Sequence, residues 1–179
     1  MDKSIAILND SDKFVGVVLR VPTPYLYFQT RRVGTIINIA SRAAFRGDDP
    51  TYLHYAASKD AIVALTRSIA RGFAADNILA FTVAPGFVST EMSNQFIQEF
   101  GEADIIRDIP GKIALPQDVA NVIAFLAAGL ATHATGTAID INGASYVHGD
   151  NYCKIPLKAH ADIFSNQLIY HFSKTLKTS

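Results

Sequence analysis

Tyr55 and Lys59 are four residues apart in the sequence HYAASKD, which is the spacing of about one helical turn. A tyrosine hydroxyl in water titrates at about pH 10, so on its own it is a poor acid–base catalyst at neutral pH. A lysine ammonium one turn away favours the phenolate form. Such a pair suits proton transfer to or from the oxygen of an alcohol or a ketone, and Tyr55 and Lys59 are therefore the first candidate catalytic residues.

The spacing by itself is not specific, because Tyr170 and Lys174 repeat it. The sequence context separates the two pairs. A β-branched apolar run at residues 33–40 ends next to Ser41 and precedes Tyr55, whereas no predicted strand precedes the second pair. A serine hydroxyl at the end of that strand could hydrogen-bond a substrate carbonyl oxygen. We expect the first pair to lie at a ligand-binding edge and the second in a tail.

Strands and helices alternate around this pair. Short β-branched or apolar runs predict buried strands at residues 33–40, 78–83 and 137–141. Apolar residues at steps of three and four predict helices at residues 55–75 and 116–129. This order predicts an α/β fold with a partial, Rossmann-like parallel sheet and flanking helices. Ligands of such sheets bind beyond the carboxyl ends of the strands.

The composition is that of a globular protein, with 49% hydrophobic and 18% charged residues. Lys and Arg together number 16, as do Asp and Glu, so the formal net charge of zero argues against nucleic acid or an anionic membrane as the main partner. The uncharged run at residues 119–139 is too polar for a membrane span. The single cysteine, Cys153, and a start without a signal-peptide pattern predict a cytoplasmic protein. His54 and His133 have no metal-ligand companions, so no metal site is predicted.

Five segments in register resemble the short-chain dehydrogenase/reductase family, in particular its 3-oxoacyl-thioester reductases. They are INIAS (37–41), the Tyr55-x-x-x-Lys59 pair, VAPGFVSTEM (83–92), IALPQDVANVIAFLAA (113–128) and TGTAIDINGASYVH (135–148). The region they span is about two thirds of the chain. The resemblance implies an NAD(P)-dependent oxidoreductase that acts on a small-molecule carbonyl compound or secondary alcohol.

The resemblance also assigns catalytic roles. Tyr55 would be the general acid and base, Lys59 would bind the ribose hydroxyls of the nicotinamide nucleotide, and Ser41 would orient the substrate oxygen. Two of these residues have a structural alternative, because Ser41 could be a turn residue that follows a strand, and a lone lysine such as Lys59 usually lies on a solvated helix face.

The cofactor contacts implied by the resemblance follow the next predicted strand. Pro85 and Gly86 would shape the nicotinamide pocket, and the Val88 backbone and the Thr90 hydroxyl would contact the cofactor. Residues 91–112 are similar to the mobile substrate lid of the family. Thr90 could also be the N-cap of a lid helix, either instead of its cofactor role or in addition to it.

The sequence departs from the family pattern at the phosphate-binding loop, which has the form G-x-x-x-G-x-G. Before Ser41 the chain has only Gly16 and Gly34, so it cannot supply this loop. The residue that selects NAD or NADP is missing as well, and residues 5–10 look like a remnant of a strand. We therefore expect weak binding of NAD or NADP. The alternative function is that of a truncated remnant that serves as a binding or oligomerisation module.

The departures divide the chain into three parts. Residues 1–32 form an atypical N-terminal segment, in which Pro22 and Pro24 are expected to interrupt a helix of the family. Residues 33–148 form the catalytic domain. Residues 149–179 form a C-terminal extension that is predicted to be an amphipathic helical tail, with its apolar residues on one face: Ile163, Phe164, Leu168, Phe172 and Leu176.

A homo-oligomer is expected from two features. The predicted helix at residues 55–75 has an alanine-rich face suited to close helix packing, and members of the resembled family pair through this helix. A sheet without its first strands also leaves an edge open to pairing.

Overall fold

The computed structural model describes residues 5–8, 22–101, 109 and 112–147. All of them belong to one compact unit that ends at Val147. The predicted tail helix at residues 149–179, the Tyr170–Lys174 pair and the single cysteine lie outside the described residues, as does part of the predicted lid.

A parallel sheet forms the centre of the fold. Its four strands are hydrogen-bonded in chain order, β1-β2-β3-β4, so all their carboxyl ends meet at one edge. The strands are β1 (Ile5–Leu8), β2 (Gly34–Ile39), β3 (Ile78–Pro85) and β4 (Ala138–Ile141). Every neighbouring pair is parallel. The predicted parallel α/β fold is confirmed, and the possible strand within residues 5–10 forms β1.

The connections between the strands carry the helices. They are α1 (Pro22–Arg31), α2 (Ala43–Arg46), α3 (Leu53–Gly72), α4 (Glu91–Phe100) and α5 (Pro116–Ala127). Short 3-10 turns occur at Pro50–Tyr52, Ala74–Asp76 and Thr132–Ala134. Helix α2 was not predicted, because four residues are too few to show a helical period.

The two prolines near the N-terminus lie at the beginning of a helix. Helix α1 begins at Pro22, and Pro24 follows within its first turn. The first N–H groups of a helix have no partner within the helix, so proline is tolerated there. Whether these prolines interrupt a longer helix depends on residues 9–21, which lie outside the described residues, so that expectation stays a prediction.

Helices cover both faces of the sheet because apolar residues of β2 alternate between them. Ile36 and Ile37 are both fully buried, one in each of two apolar clusters. The first cluster includes Ile62 and Ile69 of α3, and the second includes Leu126 of α5. The fold is a three-layer arrangement with α3 on one face and α5 on the other.

A glycine at the start of β2 allows α1 to lie close to the sheet. A Cβ atom placed on Gly34 would lie only 2.3 Å from the ring of Phe28, which is itself 3% exposed. The ring of Phe28 thus occupies the space where a side chain of residue 34 would lie. Gly34 is required for packing of α1 in the first apolar cluster.

A buried polar contact joins β2 to α3. The Asn38 side-chain amide donates a 2.8 Å hydrogen bond to the Thr66 hydroxyl, which in turn donates to the Ile62 carbonyl oxygen. Asn38 and Thr66 are fully buried. A buried hydrogen bond has a defined geometry and is costly to break, so this contact fixes the position of α3 along β2. Helix α3 carries Tyr55 and Lys59 in its first two turns.

Candidate active site

Ser41 lies just beyond the carboxyl end of β2, between two backbone hydrogen bonds to β3. Ala40 N donates to the Val83 carbonyl oxygen at 2.8 Å, and Arg42 N donates to the Pro85 carbonyl oxygen at 2.9 Å. Ser41 is half-buried between these two bonds. Its backbone is therefore held against the end of β3 although the strand itself has ended.

The Ser41 hydroxyl oxygen also stabilises the turn into α2. It accepts a 3.2 Å hydrogen bond from the backbone N–H of Ala43. This is the turn role that was the structural alternative for Ser41. A serine hydroxyl has one proton to donate and two lone pairs, so accepting from Ala43 does not use the proton that a substrate carbonyl oxygen would require.

Tyr55 and Lys59 both lie near the beginning of α3. Tyr55 is partly buried, whereas Lys59 is only 3% exposed. The ammonium nitrogen of Lys59 lies 5.6 Å from the centroid of the Tyr55 ring and donates a 3.3 Å hydrogen bond to the Ile39 carbonyl oxygen. The interpretation of Lys59 as a residue of a solvated helix face is therefore wrong.

A buried ammonium group is unfavourable unless polar or charged groups compensate for the loss of water. The carbonyl of Ile39, at the last residue of β2, is one such group. The ring face of Tyr55 is another, since a cation within about 6 Å of an aromatic centroid is attracted by its quadrupole. Lys59 thus connects the end of β2 to the tyrosine of α3.

Gly86 follows the last residue of β3 and lies directly against the loop after β4. Its N–H donates to the Ile141 carbonyl oxygen at 3.0 Å, and a Cβ atom on Gly86 would lie 2.9 Å from both Cα and Cβ of Asn142. Asn142 is buried, and its side-chain amide donates to the Tyr146 carbonyl oxygen at 3.0 Å. A side chain at residue 86 would displace this loop.

Val88 and Thr90 lie where the chain leaves β3 and enters α4. Val88 forms an isolated parallel bridge with Ala114, and Ser89 N donates to the Ala114 carbonyl oxygen at 2.8 Å. Thr90 is the N-cap of α4, and its hydroxyl oxygen accepts from Ser93 N at 3.3 Å. The N-cap interpretation of Thr90 is confirmed. The bridge joins the chain that enters the predicted lid to the chain that returns from it.

An aromatic contact links α2 to the loop after β4 at this edge of the sheet. The rings of Phe45, in α2, and Tyr146, after β4, are stacked with centroids 6.4 Å apart and planes 6° apart. Sequence reasoning missed this pair, because nothing in one sequence connects residues 101 positions apart. It also missed Asn142 and Ser93. A polar residue directly after a strand and the Thr-x-x-Ser spacing were the available signals for those two residues.

The described residues differ in how well they fit the two ends of a dinucleotide. Pro85 ends β3, and Gly86, Val88 and Thr90 follow it at the carboxyl edge, which suits a nicotinamide ring. A pyrophosphate needs a glycine turn that brings backbone N–H groups close to it. Within residues 5–8 and 22–40 the only glycine is Gly34, whose open side is filled by the Phe28 ring.

The described part of the chain contains neither a membrane-spanning helix nor a group of metal ligands. None of its helices is both long and apolar enough to cross a membrane. Within the same residues, no three or more His, Cys, Asp or Glu side chains are grouped so that they could bind a metal ion.

Helices on both faces of a parallel sheet define a Rossmann-like α/β protein. A family model described as "Enoyl-(Acyl carrier protein) reductase" matches residues 18–144. The chain belongs to the short-chain dehydrogenase/reductase family of oxidoreductases.

Two curated relatives carry the same name, 3-oxoacyl-(acyl-carrier-protein) reductase FabG. The protein from Thermotoga maritima is 35% identical over 138 residues, which cover 77% of this chain and 55% of the relative. The protein from Rickettsia bellii is 39% identical over 115 residues, which cover 64% of this chain and 47% of the relative. The chain thus spans about half the length of the curated relatives it matches.

A solved structure described as "ElxO with NADP Bound" has the same fold. It superposes with a TM-score of 0.70 at 28% sequence identity, and the match covers 78% of this chain and 66% of that chain.

Proposed function

We propose that residues 33–148 carry the catalytic part of an NAD(P)-dependent oxidoreductase that interconverts a carbonyl group and a secondary alcohol. Tyr55 is the proton donor and acceptor, Lys59 stabilises the tyrosinate, and Ser41 holds the substrate oxygen. The observation that carries this proposal is the position of Lys59. Its ammonium is buried, lies 5.6 Å from the Tyr55 ring centroid and is hydrogen-bonded to the last residue of β2.

In the direction of reduction, Ser41 donates a hydrogen bond to the substrate carbonyl oxygen and fixes its position. Tyr55 gives its hydroxyl proton to the same oxygen as that oxygen gains negative charge, which leaves a tyrosinate. The Lys59 ammonium stabilises this anion in a site with little water. Pro85, Gly86, the Val88 backbone and the Thr90 hydroxyl would hold a nicotinamide nucleotide, which would supply the hydride for the carbonyl carbon.

The proposed substrate class is a 3-oxoacyl thioester. Two curated relatives are named as 3-oxoacyl reductases, whereas the matching family model is described as an enoyl reductase. The two reactions place the proton differently, because reduction of a ketone ends with a proton on oxygen and reduction of an enoyl double bond ends with a proton on carbon. The proposed roles of Ser41 and Tyr55, a hydrogen bond and a proton for the same oxygen, favour the ketone.

A second candidate function is that of a binding or oligomerisation module without catalysis of its own. The observation that favours it is the absence, within residues 5–8 and 22–40, of a glycine turn that could hold a pyrophosphate. The two candidates differ in one measurable property, since only the first requires a nicotinamide nucleotide to bind at the carboxyl edge of the sheet.

The test is turnover of acetoacetyl and crotonyl thioesters by the full chain, at a concentration of NADPH of about 10 mM, to fill a weak site. We expect oxidation of NADPH with the acetoacetyl thioester. Tyr55→Phe should reduce the rate by about a hundredfold or more, since general acid catalysis contributes roughly 10²–10⁴. Tyr170→Phe is the matched control and should have no effect.

Circular dichroism of Tyr55→Phe should match that of the unsubstituted chain, because only a hydroxyl is removed. Turnover that survives Tyr55→Phe would contradict the role of the tyrosine. Faster reduction of the crotonyl thioester would contradict the substrate class, and no turnover of either substrate would favour the binding module.

A further inference from the structure

We propose that Ser93 is a positioning residue that holds Thr90 for its contact with the nicotinamide and so couples cofactor binding to the start of the lid helix α4. This inference rests on the proposed function, in which the Thr90 hydroxyl contacts the cofactor. It assigns a role to Ser93 that follows from the hydrogen bonds around the N-cap.

One hydroxyl group holds both backbone polar groups of Thr90. Ser93 Oγ accepts a 2.7 Å hydrogen bond from Thr90 N and donates a 2.8 Å hydrogen bond to the Thr90 carbonyl oxygen. Ser93 is 8% exposed, whereas Thr90 is exposed. The buried serine therefore fixes the backbone of a residue whose side chain faces outward.

The oxygen and the proton of the Thr90 hydroxyl make different contacts with Ser93. The oxygen accepts from Ser93 N at 3.3 Å, and the proton is donated to Ser93 Oγ at 3.5 Å, at the limit of a hydrogen bond. A hydrogen bond of this length is weak. A carboxamide oxygen of the cofactor at a shorter distance would accept the hydrogen bond of the Thr90 hydroxyl in its place.

Thr90 is fixed from both directions along the chain. On its N-terminal side, Ser89 N bonds to the Ala114 carbonyl oxygen and Val88 forms a bridge with the same residue. On its C-terminal side, the Ser93 hydroxyl is hydrogen-bonded to both Thr90 N and the Thr90 carbonyl oxygen. Because a bound carboxamide and the first turn of α4 both depend on the Thr90 hydroxyl, each should stabilise the other, and this coupling is reciprocal.

The test compares Ser93→Ala and Ser93→Thr with Asn94→Ala, an exposed neighbour in the same helix. NADPH binding to the full chain is titrated by two-dimensional NMR, and hydrogen exchange of the Ser93 and Asn94 amides is measured with and without NADPH. The Asn94 amide is informative because it bonds to the Thr90 carbonyl oxygen. Alanine has a higher helix propensity than serine. If Ser93 acted through helix propensity alone, Ser93→Ala would slow amide exchange in α4 and leave NADPH binding unchanged.

We expect Ser93→Ala to weaken NADPH binding by about three- to tenfold, the effect of one or two lost hydrogen bonds. NADPH should slow amide exchange in the unsubstituted chain, in Ser93→Thr and in Asn94→Ala, but not in Ser93→Ala. If Ser93→Ala binds NADPH as tightly as the unsubstituted chain, this inference is wrong and the proposed function stands. If the unsubstituted chain does not bind NADPH, both are wrong.

Discussion

The ammonium nitrogen of Lys59 lies 5.6 Å from the centroid of the Tyr55 ring, at the point where α3 crosses the end of β2. Lys59 is 3% exposed, so water screens its charge little. In the proposed mechanism this ammonium stabilises the negative charge that the tyrosine oxygen gains during proton transfer. The proposed function of the pair therefore depends on the burial of the lysine as well as on its spacing from the tyrosine.

Lys59→Met separates the charge of this residue from its packing. Methionine retains an apolar stem of similar length and removes the ammonium. We expect turnover of the acetoacetyl thioester to fall by about a hundredfold or more, the range seen when a preorganised electrostatic contact is removed. The midpoint of thermal unfolding should change by no more than about 4 °C. Lys174→Met is the matched control for activity, because its tyrosine partner has the same spacing. A variant that keeps its activity would assign Lys59 a structural role only.

Two glycines of the fold should respond in opposite directions to the same substitution. Gly34→Ala places a Cβ atom 2.3 Å from the Phe28 ring, so α1 must move, and the free energy of unfolding should fall by about 1–3 kcal/mol. Gly72 is the last residue of α3, and a Cβ atom there meets no atom within 4 Å. Gly72→Ala should therefore raise the free energy of unfolding by about 0.5–1 kcal/mol. Urea unfolding measures both changes. Part of the loss should return in Gly34→Ala combined with Phe28→Leu, and a stable Gly34→Ala protein would contradict the contact.

The parallel sheet was predictable from the sequence because β2 and β3 are continuous apolar runs. Such a run can be recognised without knowledge of distant residues. The Tyr55–Lys59 spacing likewise predicted that both side chains leave α3 on the same side. The burial of Lys59 was not predictable, since it depends on the Ile39 carbonyl, which is 20 residues away in the sequence. A single sequence contains no signal for such a contact.

Local chemistry explains two other differences between sequence and structure. A helix that begins at Pro22 was not predicted, although proline suits the first turn of a helix. Asn142 was missed because its importance depends on Gly86, which lies 56 positions earlier and approaches it without a side chain. Such close backbone contacts between loops follow from tertiary structure alone.

A homo-oligomer remains a prediction, and α3 provides a surface with which to test it. Ala57 and Ala64 are both exposed on this helix, and small residues allow close helix–helix packing. We expect a dimer or a larger species by light scattering at micromolar concentration. Ala64→Glu should shift the protein towards the monomer by placing a charge in the contact, whereas Thr132→Glu, at an exposed residue outside α3, should not. A monomeric unsubstituted chain would contradict the expectation.

Affinity for the cofactor is the property that decides between the two candidate functions. In this fold class much of the affinity for a dinucleotide comes from the pyrophosphate, held by backbone N–H groups of a glycine turn. Before Ser41 the chain has only Gly16 and Gly34, and the Phe28 ring fills the open side of Gly34. The proposed contacts to the nicotinamide end are Lys59 to the ribose, and Val88 and Thr90 to the carboxamide. The loss of two or three phosphate contacts, at roughly 1.5–3 kcal/mol each, weakens binding by about three orders of magnitude or more.

We therefore expect the 179-residue chain to bind NADH and NADPH with dissociation constants no lower than about 1 mM. Reduced nicotinamide mononucleotide, which lacks the adenosine half, should bind within about threefold of NADPH, because residues 5–8 and 22–40 contain no glycine turn to hold a pyrophosphate. Calorimetric titration of the three compounds measures both quantities. Micromolar binding of NADH or NADPH, with much weaker binding of the mononucleotide, would contradict this prediction, since it would require a phosphate site built by residues outside the described ranges or by a second subunit.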